Sequence, residues 1–522
     1  MDTFKFGEDR MSIGLALDIC SGRLKAVLSN EAKEKVLANR KIVDSIVHSH
    51  KTVYGINTGF GPLCTTSISE EETRTLQYNL LISHSVGVGE LLPPEIAKLM
   101  LILKAHALSF GCSGINLATL ERIIWHIEND VIPCVPSQGS VGASGDLAPL
   151  SHLFLPLIGL GSLNVKGEMI PTENALKEFG IQPVELGAKE GLALINGTQF
   201  IVANAVQFMQ RFQNCLDTAD MIAAMQLEGT LGSVKAFDEA LHLLRPYKGS
   251  LYVAERIRTL LKNSEINASH KNCSRVQDPY SLRCIPQVHG AARNAYLHLK
   301  EMLEVEMNSV TDNPIVFNEE KAISGGNFHG EPVALPIDYA ALAASELGNI
   351  ADRRIYLALD EKIPGLPKLL VKETGLNSGF MIVQYATAAL VSENKSLCYP
   401  ASADSIPTSM GQEDHVSMGS IGARKALRIV DNLEKILGLE LFCAAQAFDF
   451  RLPLHSGAIV DACHDLVRSK IEFVDKDRQM SKDIDEAIGI VRNGDLVKVA
   501  NEIAIQQHLS FKNERHETFG IY

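Results

Sequence analysis

Along much of the chain apolar residues return every three or four positions, which marks one face of an α-helix and not the alternation of a strand. This spacing predicts helices over 31–50, 69–83, 93–110 and 116–129, the second opened by Ser69 with Glu72 three residues on, a capping-box pattern. Longer helices are predicted over about 199–231, 287–310, 333–359, 375–394 and 417–450, all rich in Ala, Leu, Glu and Met, which favour helix. In the last of them Leu427, Val430, Leu433, Leu437, Ala444 and Ala445 form an apolar stripe, and Glu440 falls inside it. The first two hundred residues are densely punctuated by Gly and Pro, and 135–145 has no periodicity at all. The expected fold is mainly α, with a loop-rich part over 1–198 and a long helical bundle over 199–522, whose charged tail beyond about 475 covers the outside.

Composition narrows the function. With 46% apolar residues the chain can build a large core, so it is folded and not disordered. Lys and Arg number 49 against 62 Asp and Glu, a net charge of −13 with no basic run, which speaks against a nucleic-acid partner. The ten cysteines are scattered without a C-x-x-C pair, as expected of reduced thiols and not of a zinc site. The start carries Asp2, Glu8 and Asp9 in place of a basic, then apolar, leader, and the apolar stretch 96–108 is broken by Lys98 and Lys104. The expectation is a cytoplasmic protein with no membrane partner.

The familiar motifs for nucleotides, zinc proteases and serine esterases are missing. What stands out is Gly139-Ser140-Val141-Gly142-Ala143-Ser144-Gly145-Asp146-Leu147. Companion strings follow: 54–61 (Tyr54 to Gly61), 194–199 around Asn196, 277–284 with Gln277, Tyr280 and Arg283, 312–314 around Asn313, 325–329 with Phe328, and Gln412-Glu413-Asp414-His415. Together they resemble the aromatic amino-acid ammonia-lyases and aminomutases, across almost the whole chain. The resemblance implies a fumarase/aspartase-like fold, although the G-S-S-x-x-M-P wording of fumarase itself is absent.

It also implies that Ala143-Ser144-Gly145 cyclises and loses two waters to form 4-methylidene-imidazol-5-one, with no pyridoxal phosphate, nucleotide or metal required. The residue types make sense. Natural side chains are poor electrophiles, so expelling ammonia without an added cofactor needs a built-in one. The nitrogen of residue 145 must fold back onto the carbonyl of 143, a turn that Gly tolerates, and Ser144 must supply a hydroxyl that can leave.

By the same resemblance Tyr54 is the base for the β-proton, in a Gly-flanked loop that can act as a lid. Arg283 anchors the substrate carboxylate, for which the guanidinium fork is suited. Tyr280, Gln277, Asn196 and Asn313 line the site, and Phe328 packs beside the electrophile. The family's sites are shared between subunits, so a homotetramer is implied.

By the same resemblance ring selection falls to Ser83-His84 and to Glu440, whose carboxylate on an apolar helix face needs either a protein partner or a polar ligand. These residues imply conversion of L-histidine to trans-urocanate and ammonia. The same chemistry on L-tyrosine, as a lyase or a 2,3-aminomutase, stays open because His84 can also bind a phenol. A non-catalytic helical scaffold keeping the motifs by descent is the alternative from another class. Ala403, Ser409-Met410-Gly411 and His289 depart from the usual wording of the histidine-specific members.

Overall fold

The computed structural model describes residues 3–49, 53, 55–56, 58, 70–271, 275–511 and 518–522. Its centre is built from the helices Gln199–Gly229, Ile285–Glu306, Glu331–Ala358, Met381–Leu397 and Gly419–Asp449. The first and last of these have 31 residues each, so each runs about 45 Å at 1.5 Å per residue. They lie along one another, and a Cβ added at Gly229 would sit 2.8 Å from the Ala447 Cβ, so the small residue sets how closely the two backbones approach. The apolar stripe read from the sequence is wider in the structure. Every residue from Ile436 to Phe448 is buried, because helices cover this segment on all sides.

The N-terminal part carries the helices Asn30–His48, Glu70–His84, Pro94–Ser109 and Leu117–Glu128. Short sheets tie them together. Strand Val88–Leu91 pairs antiparallel with Pro136–Gln138, which brings the end of the Glu70–His84 helix beside the aperiodic stretch that follows residue 138. One hydrophobic cluster takes in residues from Phe4 to Phe519 and crosses position 198, so both halves share a core. The tail forms helices Ala458–Lys470, Ser481–Arg492 and Asp495–Gln506, with Ile488 packed against Gly438 of the central helix. Among the described residues no helix is long and apolar enough to cross a membrane.

The core holds imidazoles as well as hydrocarbon. His106, His126 and His289 are buried, and burial pushes each pKa down to about 4. Their folded pKa values lie below the ordinary value of about 6.5, so as pH falls the unfolded chain takes up protons first. This contribution to stability is intact above about pH 7 and is lost as pH drops from about 6.5 towards 4. The midpoint of thermal unfolding is expected to be lower at pH 5 than at pH 7.5, and equal midpoints would contradict neutral buried imidazoles.

Candidate active site

The aperiodic stretch folds into a compressed turn. The Gly145 N–H donates to the Ala143 carbonyl at 2.6 Å, a turn tighter than a β-turn. Gly145 has φ +80°, and a Cβ there would lie 2.2 Å from the Gly197 carbonyl oxygen, so no other residue fits without moving backbone. The nitrogen of 145 is thereby held against the carbonyl of 143, with the Ser144 side chain half-buried beside them. These residues fit an internal cyclisation.

Two long helices pin the turn. Asp146 donates its N–H to the Gly197 carbonyl at 2.8 Å, and its carboxylate accepts from the Ile201 N–H at 3.0 Å and the Ser140 hydroxyl at 3.3 Å. A carboxylate at a helix N-terminus satisfies donors that have no partner within the helix. Asp146 is fully buried, and that burial raises its pKa to about 7. On the other side the Met418 N–H donates to the Val141 carbonyl at 3.0 Å and the Ser420 hydroxyl to the Ser140 carbonyl at 2.8 Å, at the start of Gly419–Asp449.

A cavity of about 240 Å³ opens on this turn, lined by Ser83, His84, Ala143, Gly145, Thr408 and Glu413 among others. The Ser144 hydroxyl donates to Glu413 Oε1 at 2.8 Å, and Thr408 Oγ1 donates to Glu413 Oε2 at 3.0 Å. His84 Nδ1 is 3.0 Å from the Ser83 hydroxyl. Burial lowers the His84 pKa, against the raising effects of the Leu80 backbone and the Glu413 charge, so the ring is held neutral at pH 7.

Behind the turn, Asn196 ends the short helix Glu190–Ile195, and its carbonyl accepts from the buried Lys104 ammonium. Burial lowers the Lys104 pKa to about 7. Asn313 is buried nearby. Its side chain accepts from the Gly325 N–H at 2.8 Å and donates to the Ser324 hydroxyl at 3.2 Å, while Thr311 accepts from Gln199 at 2.9 Å. Phe328 is half-buried on the segment leading to Gly330, which abuts Ser417, whose hydroxyl donates to the Gly142 carbonyl at 3.5 Å.

The remaining expected residues lie elsewhere. Tyr54 falls outside the described residues. Gln277, Tyr280 and Arg283 sit at the opposite end of Gln199–Gly229, where Asp278 accepts from the Ser233 N–H at 2.6 Å. They are therefore about 45 Å along the helix axis from the Ala143–Gly145 turn. Tyr280 is 70% exposed there, with the Arg283 guanidinium 4.6 Å from its ring centre. No carboxylate among the described residues pairs with Arg283.

Glu440 requires a correction. It lies 21 residues beyond Gly419, about 31 Å up the helix from the turn, is fully buried, and is gripped by Arg354 through Nε–Oε1 at 2.5 Å and Nη2–Oε2 at 3.1 Å. Arg354 Nη1 also donates to His289 Nε2 at 3.2 Å, and His289 Nδ1 donates to Asp220 at 2.8 Å. Asp220 in turn accepts from Arg293 at 2.6 Å and Arg256 at 2.9 Å. Glu440 thus belongs to a charged network inside the bundle. The unusual His289 is explained as the link in that network. The carboxylate at the cavity is Glu413, from the string 412–415, to which the sequence alone attached no role. Its aperiodic surroundings carried no signal of where it would point.

The chain matches the family model "Aromatic amino acid lyase" over residues 11–469. It is 48% identical over 474 residues to a histidine ammonia-lyase of Natranaerobius thermophilus, covering 90% of this chain and 93% of that one. A solved histidine ammonia-lyase from Trypanosoma cruzi superposes with a TM-score of 0.90 at 39% identity, covering 100% of this chain and 98% of its own. A tyrosine aminomutase from Streptomyces globisporus superposes with a TM-score of 0.91 at 32% identity, covering 98% and 100%.

Proposed function

Because the chain belongs to the aromatic amino acid lyase family, we propose that it is a histidine ammonia-lyase, which removes ammonia from L-histidine to leave trans-urocanate. The observation that carries this reading is that His84 and Glu413 both line the cavity that opens on the Ala143–Gly145 turn. A neutral imidazole and a carboxylate on the wall of one cavity suit a polar ring and leave a purely apolar one with unpaired polar walls.

Ala143, Ser144 and Gly145 would hold 4-methylidene-imidazol-5-one, which when formed supplies an electron-poor carbon able to draw electrons from the substrate and make its amine expellable. The chain's own residues do the rest. His84 and Glu413 hold the ring, and Asn196 stands behind the turn. Arg283 takes the carboxylate in a two-oxygen grip, with Gln277 and Tyr280 beside it. Tyr54 receives the β-proton as the carbon–nitrogen bond breaks, so that one proton and one ammonia leave for each double bond formed.

Since Arg283 and the turn are at opposite ends of a helix about 45 Å long, they can meet only if a second copy brings its Arg283 to this copy's turn. This supports a homotetramer with sites shared between subunits. Exposed Leu335, Tyr339 and Leu342, spaced on one face of Glu331–Ala358, offer an apolar surface for such an assembly. We place the enzyme in the cytoplasm, where scattered thiols stay reduced.

The second reading is the same chemistry on L-tyrosine, favoured by the resemblance in fold to a tyrosine aminomutase. Incubation of the purified protein with histidine, tyrosine and phenylalanine separately decides between them. Urocanate formed faster than either cinnamate is the expected result. A faster rate on tyrosine overturns the substrate, and a β-amino acid product reveals a mutase.

A further inference from the structure

Lys104 lies in the helix Pro94–Ser109, is 1% exposed, and forms no ion pair among the described residues. Its neighbour Lys189, likewise buried, pairs with Asp312 at 2.6 Å. Burying a lone ammonium is costly, and a Met or Leu would fill such a space without that cost. Burial works against the Lys104 charge, Asp312 and Asp146 work for it, and Lys189 works against it. A charged group placed at such cost behind a reactive turn points to a task there.

The ammonium donates to the Asn196 carbonyl, which accepts from no backbone N–H among the described residues. That carbonyl shares its peptide group with the Gly197 N–H, which donates to the Ser144 carbonyl at 3.4 Å. The surroundings hold this peptide rigidly. Gly197 pairs with Gly145 in a parallel bridge, and the Asp146 N–H donates to the Gly197 carbonyl at 2.8 Å. At φ +121° residue 197 favours Gly, and a Cβ there would lie 2.5 Å from Gln199 Oε1. Ammonium, peptide group and Ser144 oxygen thus form a hydrogen-bonded chain in which each member polarises the next.

In the ring that Ala143, Ser144 and Gly145 would close, the Ser144 carbonyl is conjugated with the side-chain carbon left by loss of the hydroxyl. An electron pair taken up at that carbon moves charge onto the Ser144 oxygen, and the charge returns when the new bond breaks. A donor aimed at that oxygen helps most while the charge is there, and a contact of 3.4 Å in the resting protein has room to shorten as it develops.

We infer that Lys104 is a positioning residue that acts through the Asn196–Gly197 peptide, its ammonium steadying negative charge on the Ser144 carbonyl oxygen and so strengthening the electrophile. The inference rests on the electrophile proposed above and gives Lys104 no contact with substrate. Across roughly 8 Å, the reach of such a chain, one charge at an effective dielectric constant of about 20 is worth about thirtyfold in rate.

The test compares wild type with Lys104→Met, Lys104→Gln and Lys104→Arg. Each protein is exposed to cyanide for set times and digested, and the mass of the 143–145 peptide is read. It reports loss of two waters on ring closure and gain of one hydrogen cyanide on capture, the anion bonding to the side-chain carbon and water supplying the proton. Lys104→Met is expected to fold, because an apolar side chain of similar length replaces a lone buried charge. Its peptide should show the same two-water deficit and capture cyanide about thirtyfold more slowly per closed ring. The kcat for histidine should fall by a similar factor with KM little changed, since the charge is absent from the bound ground state. Lys104→Gln, a neutral donor, should behave like Lys104→Met and carries the comparison if that variant does not fold. Lys104→Arg, which keeps a charge at every pH, should recover to within about threefold of wild type.

Cyanide capture by the neutral variants as fast as by wild type overturns the inference. So does a rise in KM with kcat unchanged, no recovery in Lys104→Arg, or failure of all three variants to fold, each of which makes Lys104 part of the scaffold. A folded variant whose peptide keeps its full mass assigns Lys104 to ring closure and overturns it as well. A wild-type peptide of full mass, or one that takes up no cyanide, defeats the proposed electrophile itself, which separates that failure from the others.

Discussion

Ser144→Ala is expected to fold like the wild type and to lose at least about a thousandfold in turnover, a barrier increase of roughly 4 kcal/mol. The side chain is half-buried and among the described residues its hydrogen bond is to Glu413, so removing it leaves no cavity in the core and strands no buried donor. The Gly145 N–H to Ala143 carbonyl contact is made by backbone and survives the change. What is lost is the hydroxyl that must leave to generate an electrophile. Intact mass and peptide mapping give the check. The wild-type 143–145 peptide should be lighter than its sequence by two water molecules, whereas the variant can lose only one. A Ser144→Ala protein with wild-type turnover, or a wild-type peptide of full mass in active enzyme, would refute the proposed electrophile.

The second large effect separates two glutamates that the sequence could not tell apart. Glu440→Gln leaves the Arg354 guanidinium buried without its counter-charge, and breaking such a pair costs about 3–5 kcal/mol. The thermal midpoint should fall, and the yield of active protein should drop equally for every substrate. Glu413→Gln should leave the midpoint nearly unchanged, since among the described residues this carboxylate accepts side-chain hydrogen bonds from Ser144 and Thr408 alone, at the edge of a cavity. Its kcat/KM for histidine should fall at least about tenfold, the worth of a charge-assisted hydrogen bond of about 1.5–3 kcal/mol. Phenylalanine, whose ring offers that carboxylate no donor, should be far less affected. If Glu440→Gln instead spared the midpoint and harmed histidine alone, the placement of Glu440 in the scaffold would be wrong.

The long helices were legible because their cause is local. Ala, Leu, Glu and Met favour helix residue by residue, and the expected 199–231 and 417–450 became Gln199–Gly229 and Gly419–Asp449, within two residues at each end. The Ala143-Ser144-Gly145 tripeptide was legible for a different reason, the resemblance of residues 139–147 and their companion strings to a known family, and the structure's tight turn there suits Gly at its end. The role of Glu440 was not legible. A carboxylate on an apolar helix face can await a ligand or meet a cation from another helix. The choice depends on Arg354, 86 residues away in sequence, reaching it across the bundle.

By itself, then, the sequence determined the helical character of the chain, because that follows from backbone propensity, and through the resemblance of its motifs it marked a candidate tripeptide and the chemical types that could serve it. Only the tertiary structure decided which of them meet. It put Glu413 and His84 on one cavity, closed Glu440 into an ion pair, and set Arg283 at the far end of a helix about 45 Å long. The physical reason is that hydrogen bonds and ion pairs act over a few ångströms, and contacts between residues far apart in the chain are set by how the helices pack, which no local pattern records.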